Sequence, residues 1–322
     1  KSRVLTGDFV RVFDIVREFT DLIHALGGRT LNMSQYIINL LEIFRSGDNE
    51  HANFARHITK LKTSYHFLAP EAETKELNDF AKVCEELYRK WGLEPKKDKQ
   101  ITGLPAKSYP TFGDLLEYVE QKIENIVSGT WREGERVLVE GELVNLDSIR
   151  SNLQTLVNTY GDIFNGPTSI DNMKDVKAIS YDLSEIKGLE ARIFNLELFN
   201  LLSLSWDDAV TNGRIMKTLW EEKKLGLDEV AHTSIYIDES HRWVNAKNLY
   251  ALDLLSIYLR EGPKYFSNLW MASQSIRDYT PEGSTNEGIE KLKTIFEMTQ
   301  YKFIFNQDSN AIPVIDRVFG NA

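Results

Sequence analysis

The chain of 322 residues carries a single cysteine, Cys84. That excludes an internal disulfide and fits a reducing, cytoplasmic setting. No apolar run is long enough to span a bilayer and there is no signal peptide, so contact with a membrane has to come through a partner or through sequence outside this chain. Basic charge is not in excess. With 38 Lys and Arg against 48 Asp and Glu the net charge is −10, which argues against a nucleic-acid grip spread over the surface, although a local basic patch stays open. The glycine-rich phosphate-loop pattern G-x-x-x-x-G-K-S/T does not occur anywhere in the chain. What is there is ordinary for a globular protein, 42% hydrophobic and 27% charged, at a length suited to one large or two ordinary domains.

The most informative stretch is residues 234–241, S-I-Y-I-D-E-S-H. A short β-favouring run bounded by polar residues reads as a buried parallel strand, and it ends in adjacent carboxylates, Asp238 and Glu239. Two acids at the carboxyl end of a buried strand are unfavourable unless a cation or ligand meets them, and in open α/β sheets that end is where ligands sit. Residues 246–260 place Leu249, Leu252, Leu255 and Leu259 at helical spacing before Gly262-Pro263. Residues 269–275, L-W-M-A-S-Q-S, are a second apolar run ending in Gln274. Strand, helix and strand make a βαβ unit, which brings Asp238, Glu239 and Gln274 to one edge of a sheet.

Upstream, residues 9–15 alternate as a strand, residues 16–28 form a short helix closed by Gly27-Gly28, and residues 29–33 are another strand. From about residue 49 to residue 160 helical patterns dominate. Pro70 opens a helix with Phe80, Val83, Leu87 and Trp91 on one face, ending at Gly92, and a Lys- and Pro-rich linker covers 94–110. Amphipathic patterns follow over 112–127 and 145–160. Residues 176–182 form a strand, with Asp182 as the cap of a helix opening at Leu183-Ser184. A helix over 286–298 and a last strand over 301–306, Y-K-F-I-F-N, close the pattern. The expected domains are therefore an α/β core of residues 1–48 and 161–322 and an all-helical insertion of residues 49–160.

An apolar strand ending in Asp-Glu, followed by a strand ending in Ser-Gln, resembles the RecA-like ATPases, the P-loop NTPases with an extra strand between their two phosphate-site motifs. A second set of residues narrows the resemblance. Asp14-Ile15-Val16-Arg17-Glu18-Phe19, then Leu26-Gly27-Gly28, then Asn39-Leu40-Leu41 are similar to the Asp-Pro-Glu-x-Glu-Tyr, Leu-Gly-Gly and Asn-Pro-Leu signatures of the large cytoplasmic ATPases of conjugation and type IV secretion systems. Here Ile15 and Val16 replace the Pro and first Glu. The turn around Gly166-Pro167-Thr168 and the run Tyr181-Asp182-Leu183-Ser184 resemble the same family.

The resemblance implies a RecA-like P-loop NTPase core with an all-helical inserted domain, using ATP and Mg²⁺. In it Asp238 holds the metal, Glu239 activates the attacking water and Gln274 senses the γ-phosphate. Lys1-Ser2 is either the stump of a phosphate loop, binding nucleotide, or an ordinary polar terminus. Arg260 is placed to serve as an arginine finger toward a neighbouring subunit, with Arg277 as a rival and a surface ion pair as the plain alternative for both. His241 invites an acid–base or metal reading, but no second His or Cys lies at ligand spacing. The function implied is an ATP-hydrolysing motor for substrate transfer or pilus assembly, acting as a hexamer as such motors usually do, partnered by other subunits and peripheral at the inner face of the bacterial cell membrane. The alternatives are a DNA-pumping coupling or translocase ATPase, disfavoured by the acidic balance, and a nucleotide-poor scaffold subunit of the same apparatus.

Overall fold

A computed structural model of the chain describes residues 2–45, 47, 49–170, 173, 175–306 and 309–319. The chain forms two compact units. One comprises Lys1–Asn32, Lys174–Lys187 and Ser205–Ala322, and the other Met33–Met173 and Gly188–Leu204.

The first unit is built on a five-stranded, wholly parallel sheet. In chain order its strands are β1 (Phe9–Asp14), β2 (Arg29–Asn32), β3 (Ala178–Asp182), β4 (Thr233–Ile237) and β5 (Ser267–Met271), and their order in space is β2-β3-β1-β4-β5. A strand covered on both faces must be apolar almost throughout, and the three central strands obey this: Val10, Val12, Phe13, Ile179, Tyr181, Ile235 and Ile237 are all buried. Arg11 sits among them at 2% exposure, neutralised by Asp208 at 4.0 Å and donating to the carbonyls of Val10 and Val176 at 3.1 and 3.0 Å. The β1–β2 connection needs its two glycines for different reasons. Gly27 has φ +70, where a side chain is strained, and a Cβ on Gly28 would lie 2.3 Å from the Ala178 carbonyl oxygen of β3.

β5, like β2, is one of the two outer strands. Only its first residue is buried, and Trp270 remains 39% exposed while stacking on Tyr236 of β4 at 5.7 Å. The sequence pattern predicts a further strand over residues 301–306, but the structure has no regular element there. Tyr301, Phe303, Ile304 and Phe305 are exposed, Phe305 by 82%. Alternation alone does not make a strand. The ladder needs a neighbour whose backbone groups are free, and no described strand is paired with this segment. A second difference concerns Asp182. The helix expected from Leu183 starts only at Ala191, so Asp182 instead accepts the Ser184 N–H at 3.0 Å and closes a tight turn.

The second unit is helical. Its helices are Glu50–Leu68, Thr74–Lys90, Phe112–Ser128, Glu133–Gln154, which continues as a π-turn over Thr155–Thr159, the short Gly161–Phe164 and the first half of Ala191–Glu221. The helix from Glu133 begins well before the expected residue 145. Buried Asn39 accepts the Leu41 N–H at 3.0 Å and donates to the Pro110 carbonyl at 2.9 Å, giving the Asn39-Leu40-Leu41 turn a structural role. Cys84 is buried in the helix Thr74–Lys90. No helix is long and apolar enough to cross a membrane among the described residues.

Candidate active site

Parallel strands deliver their carboxyl ends to one edge, and here that edge gathers acids. β1 ends at Asp14, β3 ends at Asp182 directly beside it in register, and β4 runs into Asp238 and Glu239. The first two have structural partners. Asp14 is fully buried and accepts the backbone N–H groups of Glu18 and Phe19 at 3.0 and 2.9 Å, shaping the turn before the helix Thr20–Ala25. Asp182 pairs with Arg17 Nε at 3.3 Å.

Asp238 is held differently. Its N–H donates to the Phe13 carbonyl at 3.1 Å, extending the β1–β4 ladder one step past the strand. Its Oδ2 is buried with no hydrogen-bond partner among the described residues. Burial pushes the Asp238 pKa up from the usual carboxylate range. The Glu239 backbone N–H opposes this, and the negative charges of Glu239, Glu18 and Asp14 add to it. An orphaned carboxylate oxygen in such a field calls for a proton or a cation. One carboxylate with open positions beside it is the donor set Mg²⁺ takes when phosphates complete its shell. No group of three or more His, Cys, Asp or Glu side chains suited to a metal occurs among the described residues, so this edge does not form an all-protein metal cage.

Glu239 has left-handed backbone angles, φ 45 and ψ 41, and is 9% exposed. The turn lets Ser240 reach across to the end of β5. Its N–H and its Oγ both donate to the Ala272 carbonyl, at 2.8 and 2.9 Å, and its Oγ lies 2.7 Å from the Tyr279 hydroxyl. Past that anchor, His241 stands between the two strand-end loops. Its Nε2 is 3.7 Å from Glu239 Oε2 and its Nδ1 is 2.9 Å from Ser273 Oγ.

Of the residues singled out from sequence, the structure brings Asp238, Glu239 and the loop bearing Gln274 to one edge of adjacent strands, with Gln274 exposed. It does not bring Arg260 there. The helix Leu249–Glu261 runs back along the sheet, and Tyr258, near its end, pairs with Ser267, the first residue of β5, at 3.1 Å. Arg260 is therefore exposed at the opposite end of the strands. Arg277 is exposed in the turn Ile276–Tyr279 that follows Gln274. Lys1 lies outside the described residues. Ser2 opens the helix Ser2–Leu5, in which Val4 packs on Val10, Val12, Ile23 and Ala178. The contacts of His241 and Ser273 were not legible in the sequence, because they join residues 32 apart.

No family model matches the chain. A solved structure of VirB4 from Thermoanaerobacter pseudethanolicus superposes on 99% of the chain and 75% of its own, with a TM-score of 0.75 at 20% sequence identity. The fold is that of VirB4. The expected α/β core on a parallel sheet is thus the fold found in that structure as well. A likeness to the bacterial conjugative coupling protein TrwBΔN70, at 15% identity and a TM-score of 0.42, is too loose to bear on the fold. An uncharacterized protein of Bacillus anthracis is 29% identical over 334 aligned positions, and the chain spans about half of that relative's length, 50%, while 98% of the chain is matched.

Proposed function

We propose that the chain carries the hydrolytic half of an ATPase site and works as the motor of a conjugation or type IV secretion apparatus. One observation carries this reading: Asp238, with a buried and unpartnered oxygen, and Glu239, in a left-handed turn, stand together at the carboxyl end of β4, one strand from the Gln274 loop. The VirB4-like fold and the Asp14, Leu26-Gly27-Gly28 and Asn39 signatures support it.

Bound Mg²⁺ would neutralise the phosphate charge that develops during transfer. Asp238 would hold that ion, directly or through water. Glu239 takes the proton of the attacking water, a step that needs a carboxylate rather than an amide. Gln274 is neutral and exposed, so it reads the terminal phosphate without adding charge to an edge already rich in acids. Lys1 and Ser2, if they close a phosphate loop, would bind the phosphates and the metal. Arg260, at the far end of the strands, acts only on the site of a neighbouring copy, which fits a ring such as a hexamer. Association with membrane components runs through partner subunits.

The test is ATP turnover with Mg²⁺ by the chain together with its native upstream sequence, alongside Glu239→Gln. Loss of general-base chemistry should lower kcat by roughly 10²–10⁴-fold with nucleotide affinity largely retained. Turnover unaffected by Glu239→Gln overturns the assignment of the base, and absence of both binding and turnover overturns the motor.

A further inference from the structure

The two loops at the acid edge are fastened by Ser240 and Tyr279, and this leaves one adjustable connection between them. Ser273 Oγ has three partners in reach, His241 Nδ1 at 2.9 Å, the Ser275 carbonyl at 3.2 Å and the Tyr279 hydroxyl. A hydroxyl has one proton, so it serves one of them at a time. If it donates to His241 Nδ1, the neutral ring must carry its proton on Nε2, facing Glu239 Oε2 at 3.7 Å. If it turns to Ser275 or Tyr279, Nδ1 becomes the donor to Ser273 and Nε2 presents a lone pair to the carboxylate. The tautomer of a histidine is set by the hydrogen bond its other nitrogen makes. In the first setting Nε2–H faces Glu239 and donates once a small shift closes the 3.7 Å gap, and in the second it has no proton to give. His241 is partly exposed, its side chain at 19%, so solvent exchanges the proton between the ring nitrogens and no other group is required.

We propose that His241 is a positioning residue for Glu239, with the Ser273 hydroxyl selecting its tautomer. The Ser273-Gln274-Ser275 loop, which carries the residue assigned to phosphate sensing, thereby governs whether the water-activating carboxylate is drawn toward the ring or free to face the nucleotide. This rests on the ATPase reading above. The structure supports it over a Ser-His-Glu nucleophile because Ser240 and Tyr279 fix the Ser273 loop against the acid loop, with Glu239 rather than Ser273 at the strand end beside Asp238.

Two readouts test it, one independent of turnover. Ring ¹⁵N chemical shifts of His241 in the full-length protein should report the Nε2–H tautomer without nucleotide, and Ser273→Ala should move the ring toward the other form or a mixture. Unchanged shifts in Ser273→Ala overturn the selector whatever the enzyme does. In steady state, Ser273→Ala and His241→Ala should each change kcat about 5-fold or more with nucleotide Kd held within about 2-fold, and the double variant should match His241→Ala alone because the two act in series. His241→Gln, which keeps a distal donor for Glu239 but has no tautomers, should lie nearer the parent and should make Ser273→Ala silent. Additive effects, or an equal change in Kd, would show that His241 only supports the fold. If Glu239→Gln leaves turnover intact, the assignment of Glu239 as the base fails while the shift experiment still decides the tautomer link.

Discussion

Asp238→Asn should make the nucleotide-free protein more stable while removing its response to Mg²⁺ and ATP. In the parent, Asp238 Oδ2 is buried, unpartnered and surrounded by the charges of Glu239, Glu18 and Asp14. The amide accepts the Glu239 N–H as before and offers N–H donors toward those carboxylates. Relief of one unsatisfied buried polar atom is worth about 1–3 kcal/mol, which for a chain of this size is a rise in Tm of roughly 1.5–4.5 °C. The pH dependence has a definite sign. The folded pKa of Asp238 is raised above its ordinary value of 3.8, so the native state holds this proton more tightly than the unfolded chain. Its contribution is fully present below the unfolded pKa and is lost as pH rises through the folded one. Melts of parent and variant should therefore converge on acidification and separate as pH rises beyond that range. Adding Mg²⁺ and ATP to the chain with its upstream sequence should raise the parent's Tm by mass action and the variant's far less. A variant that melts below the parent at neutral pH without nucleotide would refute the reasoning, because the carboxylate would then be making a favourable contact.

Two further outcomes follow from the same geometry. Gly28→Ala forces a methyl to 2.3 Å from the Ala178 carbonyl oxygen, a backbone atom that cannot swing away. The loss should be about 1–3 kcal/mol or more, read by denaturant titration, and a neutral effect would mean that the β1–β2 turn yields. Glu197, almost wholly buried in the helical unit with its Oε1 unpartnered, has a pKa pushed up by burial to about 8, with the Asn200 side chain opposing. Its contribution is complete below the unfolded carboxylate pKa of 4.5 and drains away as pH climbs to about 8. Glu197→Gln should flatten that part of the stability profile, and an unchanged slope would locate the titration elsewhere.

Where local pattern and tertiary context agreed, the sequence was readable. β1, β3 and β4 are short β-favouring runs that are buried almost throughout because both faces of a parallel sheet are covered, and the helix Asn286–Met298 coincides with the expected residues 286–298. Asp238 and Glu239 stood out because paired acids after such a run are unfavourable without a ligand. The failures share a cause, dependence on partners distant in the chain. Residues 301–306 have strand composition, but a strand is a relation between two backbones. Asp182 looked like a helix cap because a cap and a tight turn use the same carboxylate-to-N–H bond. His241 was discounted as a lone histidine. Its meaning comes from Ser273, brought alongside by the pairing of β4 and β5. The separation of Arg260 from the acids likewise follows from the return path of a helix between parallel strands, which periodicity does not encode.

The left-handed backbone at Glu239 also carries an evolutionary consequence. A non-glycine residue at φ 45 stores about 1 kcal/mol or more of strain, and glycine would relieve it while removing the carboxylate. Selection for thermal stability alone would therefore pull this position toward Glu239→Gly and silence the proposed chemistry. Selection for turnover would hold the glutamate and leave the chain to recover stability elsewhere, for instance at Asp238's neighbours or in the helical unit. A variant library sorted twice, once for melting temperature and once for hydrolysis, should diverge at this residue first.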